Sequence, residues 1–140
     1  MKGCNYLEID STFYNIPSEL MVRNWNRRTP DNFRFTAKFP KILTHEKRFK
    51  NVEKKLELFY ERMEALKDKM LALLIQLLPS YQLKEGLEDF TNYNFFYEDS
   101  FRYAVEVRHP SWISDLAYNF LKIITFLWFE VKWIGCKLLQ

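Results

Sequence analysis

Four short segments of the chain have the polar and apolar patterning of β-strands. They are residues 6–10 (YLEID), 33–39 (FRFTAKF), 71–79 (LALLIQLLP) and 102–110 (RYAVEVRHP). Side chains alternate between the two faces of a strand, so an apolar set at every second position indicates a strand with one buried face. The third segment is continuously apolar, which is typical of a strand buried on both faces.

Segments with helical spacing separate these strands. Helices are predicted over residues 17–28, with Pro17 opening the helix, over 46–70, over 83–93 and over 114–124, with Ser114 as the N-cap. The apolar residues of the long segment 46–70 recur at steps of three and four, which predicts one continuous amphipathic helix. A coiled-coil helix is the alternative, but the position between two strands favours an outer helix of an α/β fold. Alternating strands and helices predict neighbouring parallel strands in sequence order.

The polar residues of all four strands are expected to share one face of the sheet. The apolar set should pack outward against the helices, with Leu7 and Ile9 as its members in the first strand. The inward polar set comprises Tyr6, Glu8, Asp10, Arg34, Thr36, Lys38, Gln76, Glu106 and Arg108. It concentrates near the C-terminal strand ends, where parallel sheets and barrels hold their sites. We expect Glu8 and Asp10 to face Lys38 and Arg108 across a polar pocket. The alternative is that these charged residues form ion pairs that serve only the fold.

Composition narrows the class of protein without identifying a function. With 140 residues, 48% hydrophobic and 28% charged, the chain suits one globular domain. Its most apolar run, residues 123–129, is too short to span a bilayer, and no signal peptide is recognisable. The two cysteines form no motif, which favours a reducing, cytoplasmic location. The net charge of +3 does not demand a polyanionic partner.

Four segments together resemble the YecE-like family, domain of unknown function seventy-two. They are LEIDSTFY (7–14), RTPDNFRFTAKFP (28–40), IQLLPSY (75–81) and YAVEVRHPSW (103–112), with LTHE (43–46) between the second and third. The resemblance covers about residues 5–122. It implies a TIM barrel with polar residues around the mouth at the C-terminal strand ends, and it implies no established activity.

The chain departs from that family pattern in ways that predict a partial barrel. We expect one domain over residues 1–140 with about four to five parallel strands, in which the first and last strands of a full barrel are missing. Residues 125–140 no longer follow the pattern, so a truncated member is expected. Open sheet edges then predict self-association. Apolar side chains that barrel closure would cover should stay exposed, including Phe126, Trp128, Phe129 and Trp133.

The predicted function is binding of a small anionic or hydroxylated ligand in the polar pocket, and whether the protein is an enzyme is left open. The residues predicted to carry chemistry are Glu8, Lys38, Glu106 and Arg108, with the two glutamates as acid and base and the two cations stabilising negative charge. The residues predicted to contact the ligand are Asp10, Tyr14, His45, Gln76, His109 and Trp112.

Two alternative functions remain from the sequence. Nucleic-acid binding or nuclease-like chemistry would use the basic residues Arg23, Arg27, Arg28, Lys41, Lys47, Arg48, Lys50, Lys54 and Lys55. A solvated helix face is the simpler interpretation of that run. The other alternative is a truncated remnant without a complete site. No cofactor can be named, and no metal is predicted because the acidic residues and histidines lack a recognisable ligand spacing.

Overall fold

The described residues form an open, five-stranded parallel sheet with helices between consecutive strands. The computed structural model describes residues 5–92, 101–124 and 131–133. The strands are β1 (Tyr6–Ile9), β2 (Arg34–Lys38), β3 (Met70–Gln76), β4 (Tyr103–Val107) and β5 (Val131–Trp133). Their spatial order is β1-β2-β3-β4-β5 and every neighbouring pair is parallel. The predicted strands and their arrangement are confirmed, and the α/β architecture is that of a partial barrel.

The helical segments also match the prediction for the most part. They are α1 (Ser11–Tyr14), α2 (Glu19–Arg27), a π-helix (Ile42–Glu46), α3 (Glu53–Met63), a 3-10 helix (Glu64–Lys69), α4 (Leu83–Asn92), a 3-10 helix (Pro110–Trp112) and α5 (Asp115–Ile124). The Ser114 side chain accepts a hydrogen bond from the Ala117 N–H at 3.1 Å, as an N-cap does. Helix α2 begins after Ser18, whose hydroxyl accepts from the Met21 N–H, so the predicted opening at Pro17 is two residues early.

The prediction of one continuous helix over residues 46–70 is wrong. Arg48, Phe49 and Asn51 have φ angles of 47°, 63° and 53°, which a right-handed helix cannot contain. The regular helix begins only at Glu53, and its last part tightens into the 3-10 helix. Phe49 and Val52 are nevertheless buried. The apolar spacing therefore predicted burial correctly, although the backbone at these residues is not helical.

The core lies between the outward face of the sheet and the helices. Its sheet side consists of Ile9, Phe35, Ala37, Leu73, Ile75, Tyr103, Val105 and Val107, all buried as the alternation predicts. Helix α3 covers this face with Leu56, Phe59 and Met63, which is the outer-helix arrangement rather than a free coiled-coil face. Leu7 is the exception, because it remains 52% exposed on β1.

The exposure of Leu7 follows from the position of β1 at the edge of the sheet. Within the described residues, β1 pairs with β2 on one side and with no strand on the other. A groove of about 190 Å³ opens beside it, lined on its apolar side by Leu7, Ile9, Trp25 and Phe35. The side chains of Phe126, Trp128, Phe129 and Trp133 lie outside the described part of the chain, so their predicted exposure is untested.

A buried lysine donates hydrogen bonds to acceptors at the C-terminal end of α2. The Lys69 ammonium donates to the carbonyls of Asn26 (2.7 Å) and Thr29 (2.8 Å) and to the Thr29 hydroxyl (3.2 Å). It is 6% exposed, so these acceptors replace its hydration. This contact joins α2 to the 3-10 helix that leads into β3.

Replacing this lysine should destabilise the fold. In Lys69→Met the three acceptors lose a charged donor, and we expect the free energy of unfolding to fall by about 2–3 kcal/mol. Urea denaturation of both proteins measures the difference. Lys67→Met is the matched control, because Lys67 is exposed and pairs only loosely with Glu64 at 3.5 Å. Equal losses in the two variants would contradict the role given to Lys69.

The open β1 edge should promote self-association. Tyr6 and Leu7 are exposed on β1, which pairs with β2 alone among the described strands, so this edge offers a second chain apolar area and a strand to pair with. We expect the wild-type elution volume in size-exclusion chromatography to depend on concentration, and Leu7→Lys to increase the monomer fraction. Ile113→Lys is the control, because Ile113 is equally exposed but follows β4. A wild-type monomer at all concentrations would contradict the prediction.

Candidate functional site

The C-terminal ends of β1 and β2 bring two acids and a lysine together. The Lys38 ammonium lies 2.8 Å from the Asp10 carboxylate and 3.4 Å from that of Glu8. Tyr6 and Thr36, one step earlier on the same face, hydrogen-bond through their hydroxyls at 2.8 Å. The predicted facing of Glu8 and Asp10 by Lys38 is therefore present.

The loop after β1 fixes this arrangement. Thr12 of α1 is buried, and its hydroxyl donates to the Lys38 carbonyl at 2.8 Å while lying 3.1 Å from the Ile9 carbonyl. The one-turn helix α1 is thus held against the end of β2. The sequence analysis gives Thr12 no role of its own, so its buried position was not predicted.

The pKa of Lys38 reflects its two acidic neighbours. The hydrogen bond to Asp10 raises the pKa most, burial opposes it, and the charges of Asp10 and Glu8 raise it further. The ammonium is consequently kept charged, with its side chain 23% exposed. This cation neutralises the acidic side of the mouth.

The end of β4 carries a second ion pair. Glu106 is 3% exposed and its carboxylate lies 3.8 Å from the Arg108 guanidinium. The predicted pairing of Arg108 with Glu8 and Asp10 is replaced by this contact within one strand. Gln76 ends β3 as the register partner of Glu106, so these two residues are neighbours across the sheet.

The Arg108 guanidinium is incompletely satisfied. Its Nε atom is buried and has no hydrogen-bond acceptor among the described residues. A buried N–H without an acceptor is costly, and such groups often occur where a ligand supplies the partner.

His45 lies on the π-helix that follows β2. It is close enough to Arg108, which follows β4, and to Lys41, which follows β2, to be affected by their charges. Burial lowers its pKa most, and the nearby charges of Arg108 and Lys41 lower the pKa further. Its Nδ1 hydrogen-bonds to the Thr44 hydroxyl at 2.7 Å, and its ring meets Phe13 edge to face at 5.1 Å between centroids. The imidazole is therefore held neutral in a positive environment. Single π-turns often occur at functional sites.

Lys41 and Tyr14 form the outer rim beside His45. The Lys41 ammonium lies 5.6 Å from the centre of the Tyr14 ring, within the range of a cation–π contact. Tyr14 is 63% exposed. Sequence reasoning placed Lys41 only in a basic run, although its position directly after the strand and Pro40 was the available signal.

His109 and Trp112 are engaged in local structure. The His109 Nδ1 accepts from the Ser111 N–H at 3.1 Å and thereby caps the 3-10 helix, and it lies 2.9 Å from the Ser111 hydroxyl. Trp112 is buried, stacks on Tyr81 and donates its indole N–H to the Tyr81 carbonyl at 2.8 Å. These contacts give both side chains a packing role.

The described residues contain no cluster that could hold a metal and no helix that could span a membrane, and part of the basic run is paired with acids. Within residues 5–92, 101–124 and 131–133, no group of three acidic, histidine or cysteine side chains could hold a metal ion. In the same ranges no helix has both the length and the apolarity needed to cross a bilayer. Three members of the basic run are paired with acids: Arg23 with Glu19, Arg48 with Glu85 and Lys50 with Asp89. Three of the nine residues of the basic run thus have an acidic partner.

The ion pairs of Lys38 with Glu8 and Asp10 should contribute modestly to the free energy of unfolding. We expect Lys38→Met to lower the free energy of unfolding by about 0.5–1 kcal/mol at pH 7, because two facing carboxylates lose their cation. The folded-state pKa of Lys38 is raised. The contribution should therefore persist below the unfolded pKa of about 10.4 and disappear as pH rises through the folded value.

Urea denaturation at several pH values tests this dependence. Lys54→Met is the control, because Lys54 is exposed on α3. A difference between wild type and Lys38→Met that does not shrink at alkaline pH would show that lost packing, rather than lost charge, causes it.

Known proteins match most of this chain. The model of a family described as "Protein of unknown function DUF72" matches residues 1–129. The UPF0759 protein YecE of Escherichia coli K12 is 29% identical over 110 residues, which are 79% of this chain and 40% of YecE.

Solved structures of the same family share the fold. A crystal structure of a DUF72 family protein from Enterococcus faecalis V583 superposes with a TM-score of 0.75 at 25% identity, covering 91% of this chain and 49% of that one. One from Thermotoga maritima MSB8 gives 0.69 at 28% identity, covering 89% and 49%. The chain therefore spans about half the length of these relatives or less.

Proposed function

The chain belongs to the DUF72 family of proteins of unknown function, and we propose that the mouth at its C-terminal strand ends binds a small anion. The proposed ligand carries a phosphate, sulfate or carboxylate group. His45, Arg108 and Lys41 form the binding wall, whereas Glu8 and Asp10 pair with Lys38.

The observation that carries this proposal is the convergence of cations on His45. Arg108 comes from the end of β4, whereas Lys41 and His45 follow β2, and both cations lower the imidazole pKa. Like charges brought together repel one another, so an anion between them would relieve the repulsion. Arginine and lysine near the ends of parallel strands are suited to this task.

The buried Nε–H of Arg108 gives the anion a directional donor. The atom has no acceptor among the described residues, and the Glu106 carboxylate lies 3.8 Å from the guanidinium, beyond hydrogen-bond range. An oxygen of the ligand would satisfy it through a charge-assisted hydrogen bond.

Two carboxylates are available for acid–base chemistry on a bound ligand. Glu106 is 3% exposed, whereas the side chain of Glu8 is 39% exposed. Different environments for two carboxylates are the arrangement that allows one to act as acid and the other as base. Binding of the anion is the primary proposal, and a reaction at these residues would depend on it.

Titration of His45 by NMR tests the proposal directly. Inorganic sulfate is the probe, because its charge is constant across the titration range of histidine, about pH 5–8. Bound sulfate favours the imidazolium, so the pKa of His45 should rise. By linkage, sulfate should bind more tightly as pH falls through that pKa, and a tenfold difference in affinity between the two protonation states corresponds to a pKa rise of about one. The chain has two histidines, so His45→Gln assigns the resonance.

Arg108→Gln should abolish most of the sulfate-induced rise in the His45 pKa. Arg28→Gln is the matched control, because it removes the same charge from an exposed position at the end of α2, away from the mouth. A folded wild-type protein whose His45 pKa does not respond to sulfate would contradict anion binding and favour a remnant without a working site. An equal loss in both variants would indicate general electrostatics rather than a site.

A further inference from the structure

The segment that follows the π-helix is held in a strained conformation. Within residues 47–52, Arg48, Phe49 and Asn51 have positive φ angles. Asparagine tolerates this region, but Arg48 and Phe49 are strained there. Such strain persists only where surrounding contacts compensate for it.

Helix α4 and Tyr81, which precedes it, supply those contacts. Phe49 is 1% exposed and packs edge to face on Tyr81 and Phe90, with ring centroids 5.7 and 5.0 Å away. The Arg48 guanidinium lies 5.4 Å from the centre of the Tyr81 ring and pairs with Glu85 at 2.5 Å.

Asp89 on α4 contacts both Tyr81 and Lys50. Its side chain is 5% exposed; one oxygen accepts from the Tyr81 hydroxyl at 2.7 Å and the other lies 3.3 Å from the Lys50 ammonium. Burial raises the pKa of Tyr81 most strongly, and the hydrogen bond to Asp89 raises it further, so the phenol stays a donor. Asp89 therefore has a partner for each oxygen, as a buried carboxylate requires.

Backbone hydrogen bonds connect the strained segment to His45. The Lys47 N–H donates to the Ile42 carbonyl at 3.0 Å, and the Phe49 N–H donates to the Leu43 carbonyl at 2.8 Å. These bonds close the turn on which His45 lies. Movement of residues 47–52 away from α4 would open that turn.

We propose that Asp89 is the positioning residue of the anion site. Through Tyr81 and Lys50 it holds residues 47–52 against α4, and through them it holds His45 beside Arg108. Asp89 does not touch the ligand. This inference rests on the proposed anion site, but the position of His45 can be measured without any ligand.

Asp89→Asn removes the charge that holds Lys50 and keeps the shape of the side chain. Trypsin should then cleave after Lys47, Arg48 or Lys50 at least about tenfold faster under native conditions, because the segment opens locally. Without sulfate, the pKa of His45 should rise towards its ordinary value as the imidazole leaves its partly buried position near the charge of Arg108. Asp89→Glu should restore part of both properties, and sulfate affinity should fall in Asp89→Asn.

Glu88→Gln is the matched control, because it removes the same charge from the neighbouring exposed residue of α4. Lys50→Gln keeps the test decisive if Asp89→Asn does not fold, because the Lys50 side chain is 59% exposed. Its readouts are cleavage after Arg48 and the His45 pKa.

The outcomes separate the two proposals. Unchanged cleavage in the folded variants, or faster cleavage with an unchanged His45 pKa, would overturn the positioning role. A wild-type His45 that ignores sulfate would overturn anion binding alone.

Discussion

Burial of one face of a parallel sheet is the constraint on which the rest of this structure depends. The outward residues of β1 to β4 pack under α2, α3 and α4, and every neighbouring strand runs in the same direction. Strand side chains alternate, so covering the apolar set leaves the polar set on the other face. Parallel strands also end at the same edge, and this brings Lys38, Gln76 and Glu106 to one mouth.

Three of the four predicted strands were recognisable from apolar residues at a period of two, and β3 was recognisable from its continuous apolar run. The helical pattern was less reliable at residues 46–70, since spacing reports burial and does not report backbone conformation. Phe49 and Val52 are buried as the pattern requires, yet the chain reaches their positions through left-handed residues. Leu7 shows the opposite failure: its alternation is correct, but its position on the edge strand leaves it uncovered.

The site was predictable in part for the same reason. Strand alternation brought Glu8 and Asp10 to Lys38, and the register of β3 and β4 places Gln76 beside Glu106. The partner of Arg108 depends on side-chain conformation, which alternation does not specify. Asp89 on α4 bonds to both Tyr81 and Lys50, which lie in two different loops, and no local pattern in a single sequence encodes these contacts.

The distribution of charge makes the two sides of the mouth unequal. On the β1 side, Lys38 faces two carboxylates that water reaches, so its charge is compensated. On the β4 side, Arg108 faces one buried carboxylate at 3.8 Å and keeps a buried donor without an acceptor among the described residues. His45 follows β2, and burial together with the charges of Arg108 and Lys41 lowers its pKa, so the imidazole adds no charge. The guanidinium of Arg108, at the end of β4, is therefore only partly compensated by negative charge, although the net charge of the whole chain is only +3.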